Sequence, residues 1–142
     1  VTSGQVMQDQ LEEIGVDVEV RTLDFAAWLD AQGKGDFDAF LLGWLGNLDP
    51  AAYYQEQHQT DAANNYQGYS NPQVDQLLQQ GATETDQDAR KQVYDQAART
   101  IVDDVSYLYL YNPDVVQGWV PGLSGYQIRA DKAINFETVE LP

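Results

Sequence analysis

His58 is the only histidine in the chain and cysteine is absent, so the usual nucleophile and base chemistry has few carriers. His58 lies in the polar stretch Tyr54 to Thr60, with no serine close in sequence, and reads as an exposed loop histidine. Paired carboxylates can hydrolyse glycosides, and Asp36/Asp38 and Asp103/Asp104 qualify by count alone. With 23 acidic residues against 7 basic ones, such pairs arise from composition. Gly33-Lys34-Gly35 lacks the preceding glycine spacing of a phosphate loop and reads as a turn. No stretch alternates acids around a central glycine as a calcium loop does. The aromatic residues remain. Trp28, Trp44, Trp119 and nine tyrosines supply apolar area with a polar handle, which suits an organic ligand. Binding without turnover, and without a cofactor or metal, is the chemistry this inventory supports.

The formal charge of −16 repels phosphate backbones and anionic lipid heads, which argues against nucleic acid and against a membrane surface. The acids are scattered rather than clustered, as in a solvated coat of the halophilic kind; a cationic partner or a metal store is the rival reading. No apolar run approaches the roughly 20 residues of a membrane helix. Without cysteine, redox chemistry says nothing of the compartment. A length of 142 residues is that of one domain. The start at Val1, with no signal segment before a helix-like pattern, is expected of a fragment or processed product.

These side chains need elements to position them. Thr2 and Gln5 form a capping box for a first helix carrying Met7, Leu11 and Ile14, which Gly15 stops. Val16, Val18 and Val20 alternate with polar residues, the period of a half-buried strand. Asp24 caps a second helix with Phe25, Trp28 and Leu29, ending near Gly33. The run Ala39-Phe40-Leu41-Leu42 lacks alternation and predicts a strand buried on both faces. Residues 43–68 read as loop with one helical turn around Ala51 to Gln57. Asn71-Pro72 opens a helix through Val74, Leu77 and Leu78 to Gly81. Thr85 or Asp86 caps a longer one with Ala89, Val93, Ala97 and Ile101, and Val102 and Val105 extending its buried side. Asp86–Arg90 and Asp95–Arg99 stand four apart, the spacing of helical ion pairs. Tyr107-Leu108-Tyr109-Leu110-Tyr111 alternates strictly and predicts a strand, and a last strand is expected from Phe136 to Leu141. The order predicts an α/β fold with a mixed sheet and flanking helices. Trp44 then falls where a buried strand empties into a loop, the place where open α/β sheets bind ligands.

At Gly43-Trp44 followed by Asp49-Pro50 the chain resembles the family-5 extracellular solute-binding proteins, the dipeptide, oligopeptide and nickel class serving ABC importers. The resemblance runs in order from Gln8, Leu11 and Ile14-Gly15-Val16 through Gly35-Asp36-Phe37-Asp38. It continues at Asn65 with Gly68-Tyr69-Ser70-Asn71-Pro72 and Asp75, then at Asp86, Arg90 and Tyr94, then at Asp104 before the tyrosine strand. Each motif is weak alone; six in order, from Gln8 to about Trp119, are specific together.

The resemblance implies that residues 1–142 form one domain: the ligand-clamping, carboxy-terminal lobe of a type II periplasmic-binding-protein-like fold. The other domains, and a secretion signal or lipid anchor, would precede Val1. The implied function is capture of a peptide or other small polar solute outside the cell, periplasmic or at the cell surface, and delivery to ABC permease subunits. The implied ligand-binding residues are Trp44, Gly46, Asn47, Asp49, Tyr109, Leu110 and Tyr111. In peptide-binding members an aspartate three residues after the Gly-Trp tryptophan pairs with the ligand's α-amine. Here that position is Asn47, which supplies no charge, and a charge-assisted bond is about twice as strong as a neutral one. Sugars, metal chelates and opines therefore stay open beside peptides. Two other readings are a sensor domain of the same fold and a carboxylate-based hydrolase.

Overall fold

A computed structural model of the chain describes residues 2–44, 48–129, 133 and 135–142. It resolves into two compact units, Val1–Trp44 and Leu45–Pro142.

In the first unit, α1 (Ser3–Glu12) starts from the expected box: Thr2 accepts from the Gln5 amide, and the Gln5 side chain accepts from the Thr2 amide. Gly15 stops it with φ +84°, a conformation that only glycine adopts without strain. The Gln8 side-chain amide donates to the Val18 carbonyl, tying α1 to the extended valine stretch. Helix α2 (Phe25–Lys34) is capped by Asp24, whose carboxylate accepts from the Ala26 and Ala27 amides at 3.1 Å. Its aromatic residues form a run of ring contacts: Phe25 stacks on Trp28, Trp28 meets Phe40 edge-on at 5.6 Å, and Phe37 meets Phe40 at 4.8 Å.

The second unit holds α3 (Pro50–His58), α4 (Pro72–Thr83) and α5 (Gln87–Asp103). Helix α4 packs on both α3 and α5. The core is Val74, Leu77 and Leu78 of α4 with Val93, Tyr94, Ala97 and Ile101 of α5, flanked by Ala51, Tyr54 and Tyr69. Val102 and Val105, expected on the buried side, are exposed, because the apolar stripe of α5 ends at Ile101. Where one turn was expected, α3 runs for 9 residues, since Asp49 caps it and Pro50 fits the first turn.

At Gly81 helix α4 lies directly against the Tyr94 ring of α5. A Cβ there would stand 2.8 Å from the Tyr94 ring. Alanine in a helix normally gains about 1 kcal/mol over glycine. At this site overpacking should reverse the sign, so Gly81→Ala is expected to lower stability by about 1–2 kcal/mol. A urea midpoint that rises instead would show that the ring moves aside freely.

The charge pairs differ from the spacing rule. Asp86 spends its carboxylate on the Ala89 amide as the α5 cap, and Arg90 turns to Asp49 of α3's cap. Asp95 pairs backwards with Lys91.

The expected mixed sheet is not formed among the described residues. Their one β-type pairing is an isolated antiparallel bridge between Ser124 and Glu140, so the expected strand from Phe136 to Leu141 reduces to that contact. Residues 16–20, 39–42 and 107–111 carry no helix or ladder. Val16, Val20, Leu41, Leu42, Leu108 and Leu110 are exposed, contrary to the burial expected of 39–42. The reason is physical: alternation records which face of a segment avoids water, whereas a ladder needs a partner strand to bond.

Candidate ligand-binding site

The sequence-derived site residues fall in both units. Trp44 belongs to the first and is 41% exposed. Gly46 and Asn47 lie outside the described residues. Asp49, Tyr109, Leu110 and Tyr111 belong to the second.

Asp49 is engaged by the fold. One carboxylate oxygen accepts from the Ala51 amide at 2.8 Å and from Arg90 Nη2 at 2.7 Å. The Arg90 bond first, and the Ala51 amide second, hold this carboxyl below its usual range. Arg90 in turn donates from Nε to the Gly81 carbonyl at 2.9 Å and lies 5.1 Å over the Tyr94 ring. The motif residues Asp49, Arg90 and Tyr94 thus form one bracket across α3, α4 and α5.

Other motif residues are brackets too. The Asn65 side chain donates to the Gln59 and Tyr69 carbonyls and accepts from the Tyr69 amide. Asp75 accepts from the Thr60 amide and hydroxyl. Asp104 accepts from Tyr69 Oη at 2.6 Å and Asn71 Nδ2 at 2.7 Å, which lowers its pKa, the tyrosine bond contributing most. Neutral partners can only donate to this carboxylate, so it is stabilised as an acceptor and poorly suited to act as an acid.

In the tyrosine stretch the inward contacts belong to Tyr107 and Tyr109, and Tyr109 is itself 48% exposed. Tyr107 and Tyr109 contact each other and turn toward α3, while Leu108, Leu110 and Tyr111 are 67%, 43% and 71% exposed. The Tyr109 hydroxyl lies 3.2 Å from His58 Nε2, and the Tyr107 ring centroid is 4.6 Å from the imidazole.

His58 is therefore not an exposed loop residue. It closes α3, is fully buried, and is ringed by Tyr53, Tyr54, Tyr69 and Tyr107. Its Nδ1 faces Ser106 Oγ at 3.0 Å, and Ser106 accepts from Gln67 Nε2. Burial lowers its pKa to about 4, so the ring is neutral at pH 7. Burial also raises the tyrosine pKa values, Tyr107 to about 12, and these phenols stay protonated as donors. Nothing near His58 in sequence marks it, because Ser106 and Tyr109 stand 48 and 51 residues away.

Serine on imidazole is the pairing that nucleophilic catalysis uses. Here burial lowers the basicity of the imidazole, and both of its nitrogens face partners within the fold. No group of three or more His, Cys, Asp or Glu residues among those described is placed to hold a metal ion.

Ser106 reaches the ring through a tight turn. Val105 has φ +54°, and the Ser106 amide closes α5 on the Ile101 carbonyl. A β-branched residue in this left-handed region is strained, and here the strained turn sets Asp104 on Tyr69 and Ser106 on His58. Two open grooves, of about 550 and 330 Å³, include none of Trp44, Tyr109, Leu110 or Tyr111 among their lining. Trp44 in the first unit, and Tyr109, Leu110 and Tyr111 in the second, are each exposed.

Comparison with known proteins agrees with the family resemblance. Residues 1–66 match the model of the bacterial extracellular solute-binding proteins, family 5 Middle. Over 108 residues, 73% of this chain and 21% of the relative, the sequence is 33% identical to the probable D,D-dipeptide-binding periplasmic protein DdpA of Escherichia coli (strain K12). The ABC transporter substrate-binding protein CtaP of Listeria monocytogenes matches in structure with TM-score 0.64 and 31% identity, over 72% of this chain and 21% of that one. The oligopeptide-binding protein AppA of Bacillus subtilis, solved with a nonapeptide, matches 97% of this chain and 28% of its own. Its TM-score is 0.81 at 24% identity, a likeness of fold. The chain spans about a fifth of the length of the curated relatives it matches. With its motifs in the family's order and these matches beside them, the chain belongs to the family-5 bacterial extracellular solute-binding proteins.

Proposed function

We propose that this chain is one lobe of a larger extracytoplasmic solute-binding protein, which captures a peptide or other small polar solute and passes it to an ABC permease without chemical turnover. The observation that carries this reading is the tyrosine stretch. One of its faces is anchored on a buried histidine, while Leu108, Leu110 and Tyr111 stand open, as one wall of a cleft would. Trp44 offers a second exposed aromatic surface. Relatives are named as dipeptide- and oligopeptide-binding proteins.

The exposed extended segments fit the same reading. Contiguous exposed apolar surface normally marks an interaction site, and residues 16–20, 39–42 and 107–111 would complete the mixed sheet against strands of the rest of the protein. Of the site residues, Trp44, Gly46, Asn47, Tyr109, Leu110 and Tyr111 form the proposed contact set. Asp49 enters second, since Arg90 already neutralises it. The membrane is reached through the permease.

The test is tri-alanine binding to the full-length protein carrying this chain, measured by calorimetry. Trp44→Ala should weaken binding at least tenfold while the melting temperature stays within about 3 °C, since removing a stacked aromatic at a site costs 1.4 kcal/mol or more. Unchanged affinity would remove Trp44 from the site.

A further inference from the structure

We propose that His58 is a positioning residue for ligand capture: through Nε2 it fixes the Tyr109 hydroxyl, and thereby the tilt at which the Tyr109 ring is offered to the cleft. This rests on the reading that the tyrosine stretch lines the ligand site. Tyr109 is 48% exposed, yet its hydroxyl is tied inward, 3.2 Å from a nitrogen that no solvent reaches. The ring is thus held at both ends, by its backbone and by its phenol, and only its face is free.

The anchor is itself fixed. Gln67 Nε2 has two donor positions, spent on the Gln57 carbonyl at 2.8 Å and Ser106 Oγ at 3.2 Å. The Ser106 hydroxyl engages His58 Nδ1, and the neutral imidazole has one donor and one acceptor nitrogen. Whichever tautomer Ser106 selects, the opposite nitrogen has the complementary role toward Tyr109, whose hydroxyl can take either part. The series Gln67, Ser106, His58, Tyr109 therefore runs from the loop before α4 to the open surface without a gap, and Tyr109 is its only member with a half-exposed side chain. A histidine needed only for packing would not require its second nitrogen to meet a surface tyrosine.

The experiment is a double-mutant cycle on tri-alanine affinity in the full-length protein, with His58→Gln, Tyr109→Phe and the pair. Each single variant should weaken binding about fivefold, and the pair should be no worse than either one. Losses that multiply overturn the proposal, because His58 would then act by another route. If neither variant changes affinity, the proposal is also overturned, and Tyr109→Ala separates the causes. A loss with Tyr109→Ala keeps the stretch in the site and discards only the positioning role. No loss discards the site reading as well; if the unsubstituted protein does not take up tri-alanine, the same cycle is read on the solute that co-purifies with it. Should His58→Gln fail to fold, Ser106→Ala replaces it in the same cycle, with the same non-multiplying outcome expected.

Discussion

Leu78→Ala should lower the stability of the 142-residue chain by about 3 kcal/mol, within the usual range for a fully buried leucine. Leu78 has no exposed surface and is one of seven buried hydrophobic residues, among those described, that α4 and α5 supply. In so small a core a cavity cannot be filled from a neighbouring layer, so little of the loss should be recovered by relaxation. Small domains carry only about 5–15 kcal/mol in total, and the helical signal of α3 to α5 should melt far earlier in urea. Circular dichroism at 222 nm reads this directly. A loss below about 1 kcal/mol would mean that the three helices are not closed around this side chain.

Acid should act through His58. Its pKa in the fold is about 4, against an ordinary value of 6.5. Above pH 6.5 the ring is neutral both folded and unfolded, and the protein is at full strength. Between 6.5 and 4 the unfolded chain takes up a proton that the folded chain refuses, so stability falls as pH falls. The loss should be on the order of 2 kcal/mol across this window. The groups facing the ring (Tyr53, Tyr54, Tyr69, Tyr107 and Tyr109) all keep their protons there, and Asp104, bonded to Tyr69, stays ionised. The many surface carboxylates add their own slope, which subtraction removes. The difference between the unsubstituted protein and His58→Gln should decline from pH 6.5 to 4 and be flat above it. A flat difference throughout would show that the imidazole is not held neutral by burial.

Local chemistry was well legible in the residues. Thr2, Asp24, Asn71 and Asp86 cap helices as their types require, because a cap is decided within three residues. The motif order was legible too, and the structure explains its content: Asn65, Asp75, Asp104 and Arg90 are brackets whose geometry tolerates few substitutes. What stayed hidden depends on distance along the chain. His58 looked solvated because its polar neighbours give no hint of Ser106, Tyr107 and Tyr109 folding over it. Asp49 gave no hint of Arg90, 41 residues on. The sheet failed for a different reason. Val16 to Val20 and Tyr107 to Tyr111 have the alternation of strands, but alternation cannot say whether the partner lies within the same 142 residues.

A protein built on this lobe should hold a solute and leave it unchanged. Native mass spectrometry of the full-length protein, purified without refolding and then incubated with tri-alanine, should show one added mass of intact tri-alanine, or of a co-purified solute that tri-alanine competes with. No hydrolysis product should form over hours. Appearance of free alanine would contradict it and restore the hydrolase reading. So would a protein that stays bare as purified and takes up neither tri-alanine nor any of a panel of sugars, metal chelates and opines at millimolar concentration.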